Sequence, residues 1–345
     1  MASRTAAPAL GYIPDVSFAE TKAQRELQAA ARDAVENVVA PIAVCVPAGE
    51  KLTPEHLRTI YTELAPLGYL GSTIPRDVGG AGLSYVDYGL LLEALAAGPV
   101  ALGEIVVLRT INDLGSDEQK REWLPRLLSG DWISTAAITE LDTKAVRHGD
   151  AYVVNGRKRW ITLGGVSDLI TLMAVDGDGG LSHLILENMV SPWKSSEVEA
   201  VGTRNLSFAD LTFDDVRVPR ENLLGTAGAG AAELERGIEA SRAFVGMQAV
   251  GLARHALDIA MTYEKDRTGA LVDADARLRA ARLGCLSTLA VLDSGRRAPS
   301  HDSMTVEVAI RACQVAMASM GACGLTVDAG VERCWRDCAM LTAFI

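Results

Sequence analysis

The hydrophobic period changes twice along these 345 residues, and that change restricts the fold more than any other feature. Up to about residue 130, apolar side chains recur at helical spacing, as in Leu57, Ile60, Tyr61, Leu64 and Leu67. From about 131 to 222 the pattern alternates instead. The stretch 151–162 alternates β-formers around Asn155-Gly156, a pair that predicts a hairpin turn. Residues 169–175, 184–186 and 210–219 read as further strands. The helical period returns at 231–265, 277–292 and 305–320. Helices, then strands, then helices predict an α+β fold with segregated layers. The expected parts are an N-terminal helical domain (1–130), a central β domain (131–222) and a C-terminal helical bundle (223–345).

Charge and cysteine content narrow the function. A net charge of -11 argues against general binding to nucleic acid or to an anionic membrane, both of which need basic patches. It leaves room for an anionic cofactor, because a few local arginines suffice. No apolar run is long enough to cross a membrane and no secretory signal opens the chain, so a cytoplasmic protein is expected. The bias toward Arg and Ala reads as bacterial coding usage. The six cysteines contain no Cys-x-x-Cys pair, which speaks against a zinc or disulfide framework. Cys334 and Cys338, four apart on one helix face, read as small buried hydrophobes. The histidines show no metal-ligand spacing, and no metal is expected.

Several short motifs follow one another in a fixed order. They are Ile74-Pro75 through Gly82-Leu83, Gly115-Ser116-Asp117-Glu118-Gln119-Lys120 with Leu124-Pro125, and Ala137-Ile138-Thr139-Glu140. Asn155-Gly156 with Trp160-Ile161-Thr162, Phe213-Asp214-Asp215-Val216-Arg217-Val218-Pro219, and Val331-Glu332-Arg333 with Arg336-Asp337 complete the series. Each is weak alone. Together, over essentially the whole chain, they resemble the acyl-CoA dehydrogenases.

The resemblance implies N-terminal helices, a barrel-like β domain, a C-terminal four-helix bundle, a tightly bound FAD and oligomers built through the bundle. A homodimer or homotetramer is expected. It also implies a reaction: a carboxylate removes the α proton of an acyl thioester while flavin N5 takes the β hydride. The thioester would be on CoA or on an acyl carrier protein, with a flavoprotein or oxygen as electron acceptor. Carried over by position, Thr139 and the Ile138 backbone touch the flavin pyrimidine, Trp160 packs beside the ring, and Thr162 contacts the N5 and O4 region. Arg267 reaches the FAD pyrophosphate across a subunit interface, a task that suits a guanidinium.

The sequence departs from the family at informative places. Ile345 stands where most relatives carry the catalytic Glu, and an apolar side chain cannot take a proton. A minority of relatives place the base in a Leu-Glu-Arg segment on another helix, and Leu234-Glu235-Arg236 occupies that place here. Glu235 is therefore the expected base, a carboxylate partly desolvated by flavin and acyl chain. The bland alternative is that Glu233, Glu235 and Glu239 are solvated acids near a helix start. The Ile345 backbone N–H still suits the thioester carbonyl. The family's Gln-x-x-Gly-Gly segment reads Ala318-Ser319-Met320-Gly321-Ala322 here, and the loop after Glu140 is short. Relatives continue past Ile345, so the sequence is either shortened or stops within a longer protein. Two rival functions follow: a redox-silent or repurposed member that binds a thioester or runs a non-redox step, and a reduced-flavin monooxygenase on the same fold.

Overall fold

Polar caps set the starts of the N-terminal helices. In the computed structural model, which describes residues 19–47, 49–138, 142–263, 269–297 and 302–344, these helices are α1 (Lys22–Ala34), α2 (Ala40–Cys45), α3 (Pro54–Leu64), α4 (Tyr85–Leu95), α5 (Val106–Leu114) and α6 (Asp117–Leu128). Thr21 and Gln24 cap α1 reciprocally, at 2.9 and 3.2 Å. Thr53 caps α3, which carries Pro54 at its first position, where proline loses nothing. Ser116 and Gln119 form a capping box at α6, as Thr53 and His56 do at α3. The Gln119 amide nitrogen also donates to the carbonyls of Glu221 and Leu223, at 2.7 and 2.8 Å.

The sheet contains β1 (Ser134–Ala137), β2 (Lys144–His148), β3 (Ala151–Thr162), β4 (Leu169–Asp176), β5 (Leu181–Glu187), β6 (Lys194–Glu197), β7 (Phe208–Pro219) and β8 (Leu223–Leu224). Its order is β6-β7-β3-β2-β4-β5-β8, and β1 pairs in parallel with the same edge of β4 that β2 extends. The expected hairpin at Asn155-Gly156 is not there. β3 runs straight through both residues, and the chain turns at Gly149-Asp150 instead. Asn155 and Gly156 lie opposite a bulge in β7: the register slips between Val154 and Gly156, Asn155 faces both Asp214 and Asp215, and Asp215 takes φ +50. Gly156 has φ +135, and a Cβ there would lie 2.8 Å from the Thr143 Cα. The Asn155 side chain donates to Asp215 Oδ1 and accepts the Asp215 N–H, both at 2.9 Å, so the pair pins the bulge across two strands.

Four helices follow: α7 (Gly230–Tyr263), α8 (Gly269–Asp293), α9 (Asp302–Ser319) and α10 (Val331–Met340). Helix α7 is central. Its Phe244 and Met247 join the core under the N-terminal helices, while its Val250, Leu252 and Leu257 join the core shared with α8, α9 and α10. Cys334 and Cys338 are fully buried in that second core, and burial pushes the Cys334 thiol up to about 12. A third core fills the sheet with Val154, Ile170, Leu172, Leu184, Leu211 and Phe213. No described helix is long and apolar enough to cross a membrane.

The start of α7 is fastened to the sheet. Glu233 is buried, and its Oε1 accepts the Thr226 N–H at 3.3 Å. Its Oε2 lies 3.7 Å from Nδ1 of the equally buried His183 on β5, and neither of those atoms has a hydrogen-bond partner. Burial lowers the His183 pKa, Glu233 opposes that, and the nearby Lys158 adds to it. Burial also lowers His255 on α7, helped by Arg333.

Two outcomes follow from this packing. Gly156→Ala forces an alanine into a left-handed conformation against Thr143, and thermal or urea unfolding is expected to show a loss of about 1–3 kcal/mol. The second concerns acid. A histidine whose folded pKa lies below its unfolded value of 6.5 contributes stability that is complete above that value and is lost as pH falls through it. The urea midpoint should therefore drop between about pH 7.5 and about pH 5.5, and a His183→Gln, His255→Gln double variant should drop less. A wild-type midpoint that stays level over this range contradicts the assignment.

Candidate active site

β3 changes character near its end. The register slips again between Lys158 and Ile161, and Trp160 takes φ +59. A bulky residue in that region stores strain of about 1–3 kcal/mol, which persists only where surrounding contacts enforce it. Those contacts are visible. The Trp160 N–H donates to Asp210 Oδ1 at 3.2 Å, and the Arg159 guanidinium lies 4.4 Å from the indole centroid. The same Asp210 holds Arg157 at 3.3 Å and Arg159 at 3.6 Å. As a result the indole stands outward, 49% exposed. Thr162, two residues on, is partly buried opposite Phe208, and its hydroxyl has no protein partner among the described residues. Ile138 follows β1, which lies against β3 as well as β4. The structure thus brings Ile138, Trp160 and Thr162 onto neighbouring strands. Thr139, Arg267 and Ile345 lie outside the described residues.

The acids near the start of α7 meet three different fates. Glu233 is buried against His183, so it is not the solvated helix acid the sequence also allowed. Glu239 is mostly buried and pairs with Arg297 at 2.6 Å. The Glu235 side chain is 69% exposed, with the same Arg297 at 3.6 Å. No hydrogen bond, ion pair or ring contact joins Glu235 to Ile138, Trp160 or Thr162 among the described residues.

Helix α5 supplies a polar wall that the sequence reading missed. Arg109 is buried and paired with Glu104 at 2.8 Å. Its Nη2 donates to Ser241 Oγ at 2.7 Å and its Nη1 to the Gly237 carbonyl at 3.3 Å, both on α7. Burial opposes the Arg109 charge, but Glu104 outweighs it and holds the pKa above the ordinary arginine value. The signal was an arginine inside the apolar run Val106-Val107-Leu108-Arg109-Thr110-Ile111. Farther along α7, the Arg242 Nε is buried without a partner. A buried donor left unpaired costs about 1–3 kcal/mol, and more when charged.

At the far end of α9, an open cavity of about 510 Å³ is lined by Gln314, Met317, Ala318, Gly321, Leu325 and Trp335. The Trp335 indole N–H is buried there without an acceptor. This is the stretch in which Ala318 and Ala322 replace residues that the family resemblance led us to expect. An outward indole and, two residues on along β3, a hydroxyl without a protein partner among the described residues fit the edge of a large planar cofactor.

Comparison with known proteins gives this geometry a context. Three family models match in order: acyl-CoA dehydrogenase N-terminal domain over residues 21–131, middle domain over 134–216 and C-terminal domain over 228–344. Cyclohex-1-ene-1-carbonyl-CoA dehydrogenase of Geobacter metallireducens is 30% identical across 89% of this chain and 90% of its own length. 3-Sulfinopropanoyl-CoA desulfinase of Cupriavidus necator is 33% identical across 72% of this chain and 69% of its own. Among solved structures, a glutaryl-coenzyme A dehydrogenase–glutaryl-CoA complex superposes with a TM-score of 0.85 at 26% identity, covering 94% of this chain and 92% of that one. Butyryl-CoA dehydrogenase from Megasphaera elsdenii gives 0.85 at 24% identity, with 95% of each chain covered. Helices, mixed sheet and helical bundle agree with that fold, and FAD is the cofactor of these enzymes. The chain belongs to the acyl-CoA dehydrogenase family.

Proposed function

We propose that this protein dehydrogenates an acyl thioester between its α and β carbons, with Glu235 as the base. The observation that carries the reading is the carboxylate itself. Ile345 cannot take a proton, and Glu235 near the start of α7 is an accessible acid in Leu234-Glu235-Arg236, a segment that resembles the alternative base segment of some relatives. Among the described residues its ion-pair partner is Arg297 at 3.6 Å, an exposed and solvent-screened contact that a substrate can displace.

Each residue has a task in this reading. The Ile138 backbone and Thr139 hold the pyrimidine edge of FAD, Trp160 packs on its ring plane, and the Thr162 hydroxyl donates to it. Arg267 of a neighbouring copy pairs with its pyrophosphate, which makes the working form at least a dimer. Bound FAD supplies the hydride acceptor. Glu235 removes the α proton, and the approach of apolar acyl chain excludes water around it. The same reading divides the chain near residues 130 and 222. A thioester on CoA or on a carrier protein serves equally well in this chemistry, with a flavoprotein or oxygen taking the electrons.

A second reading has its own support. The desulfinase relative bears a name that is not that of a dehydrogenase, and Ile345 removes the usual base. In that case the fold runs a different step on a thioester, and Glu235 is only a surface acid.

One substitution separates the two. Glu235→Gln keeps shape and fold while removing the base. Thioester-driven flavin bleaching is expected to fall about 10²–10⁴-fold, with FAD content unchanged. Bleaching at the wild-type rate removes Glu235 from the mechanism. Bound flavin that no thioester bleaches, in either protein, favours the second reading.

A further inference from the structure

Two residues of β3 face one residue of β7 where β3 bulges. Lys158 lies opposite Leu211 and Ile161 opposite Ala209, so Arg159 and Trp160 share Asp210 between them. An extra residue in a ladder leaves an N–H without its backbone partner across the strands. Here the Trp160 N–H goes instead to the Asp210 side chain, with Oδ1 at 3.2 Å. The second carboxylate oxygen, Oδ2, holds Arg157 at 3.3 Å and Arg159 at 3.6 Å. Asp210 itself has little freedom. Its backbone is paired with Ser196 of β6, and its side chain is only 15% exposed.

One carboxylate thus does two things. It holds Trp160 in the left-handed conformation, φ +59, that turns the indole outward. It also anchors the guanidinium that lies 4.4 Å over one ring face, which leaves the opposite face for stacking. If the carboxylate is removed, the N–H loses its acceptor and positive φ at a tryptophan loses its compensation. β3 then relaxes toward an ordinary extended strand. Side chains of such a strand alternate between faces, so loss of the bulge redirects the indole. We propose that Asp210 is a positioning residue for the cofactor site: it presets the Trp160 indole for FAD, so that binding does not have to order it. This rests on the reading of Trp160 as a flavin contact. Ordering a site during binding lowers affinity, and a preset site avoids that loss. Asp210 acts through Trp160, since both of its oxygens are engaged by the bulge and the two guanidinium groups.

The test is a double-mutant cycle read by FAD affinity. Equilibrium dialysis of the FAD-loaded protein gives dissociation constants, and visible circular dichroism of the bound flavin reports its surroundings. Trp160→Ala and Asp210→Ala are each expected to raise the dissociation constant about tenfold or more. In the double variant Asp210→Ala should add no more than about twofold, because a residue that acts through Trp160 has nothing to act on once the indole is gone. Asp210→Thr, milder for folding in a strand, goes through the same cycle with the same expectation. Asp210→Asn keeps an oxygen for the Trp160 N–H, and should recover most of the affinity and the wild-type dichroism. Losses that add in the double variant overturn the proposal. So does an Asp210→Ala or Asp210→Thr protein that binds FAD like the wild type, or an Asp210→Asn protein as weak as Asp210→Ala. A Trp160→Ala protein with unchanged affinity and dichroism removes the flavin contact itself, and the role of Asp210 with it.

Discussion

The rest of the structure depends on how closely α4 and α7 approach. A Cβ on Gly251 would lie 2.1 Å from the Glu93 carbonyl oxygen, so this crossing admits only glycine. The Glu93 side chain at the same crossing takes Arg282 Nε at 2.8 and 2.9 Å, and Arg254 lies 3.5 Å away. Arg282 continues to Glu20 at 2.6 Å. One buried carboxylate thus ties α4 to α8 and to the segment before α1. A buried acid is costly when alone, and here two guanidinium groups compensate it. Gly89 and Gly246 allow similar closeness to α8, where added Cβ atoms would meet Leu289 and Cys285 at 2.5 Å. Small residues let α7 be surrounded closely on these sides.

The start of α7 shows how burial separates identical side chains. Glu233, Glu235 and Glu239 share a helix and a charge. Glu233 turns toward β5 and is locked beside His183, while Glu235 faces water and Glu239 closes on Arg297. The two-residue step from Glu233 to Glu235 points those two to different sides, whereas Glu235 and Glu239, four apart, share a face and the same Arg297. A carboxylate that must leave its partner for a substrate belongs on the exposed side, and one that fastens helix to sheet belongs inside.

Much of this architecture was legible in the sequence, for physical reasons. The long helices announced themselves because their apolar spacing is sustained over many turns, as in 231–265 against the observed Gly230–Tyr263. β4, β5 and β7 showed as β-former runs. The short strands β1, β2 and β6 did not, since four or five residues with exposed polar positions carry too little pattern. Asn155-Gly156 misled because a glycine with positive φ serves a close strand approach as well as a turn, and only the Thr143 contact and the Asn155 bonds to the bulged Asp215 of β7 decide between them. At the candidate site, Trp160 and Thr162, whose contact with a cofactor is a proposal, were named from a motif. The Arg109–Glu104 wall and the unpaired Arg242 were not, because whether a buried arginine has a partner is a property of tertiary packing.

Gln119 gives the fold a timing. Its Oε1 closes a local capping box with Ser116, a contact between residues three apart that forms as soon as α6 forms. The amide nitrogen of the same side chain is then held rigid, and it waits for two carbonyls from a segment about a hundred residues later in the chain. Local order therefore comes before long-range closure. The exit strand of the sheet docks onto a donor that is already in place, and less chain entropy remains to be lost at that step. In this protein a helix cap also works as the latch between α6 and the segment that leaves the sheet.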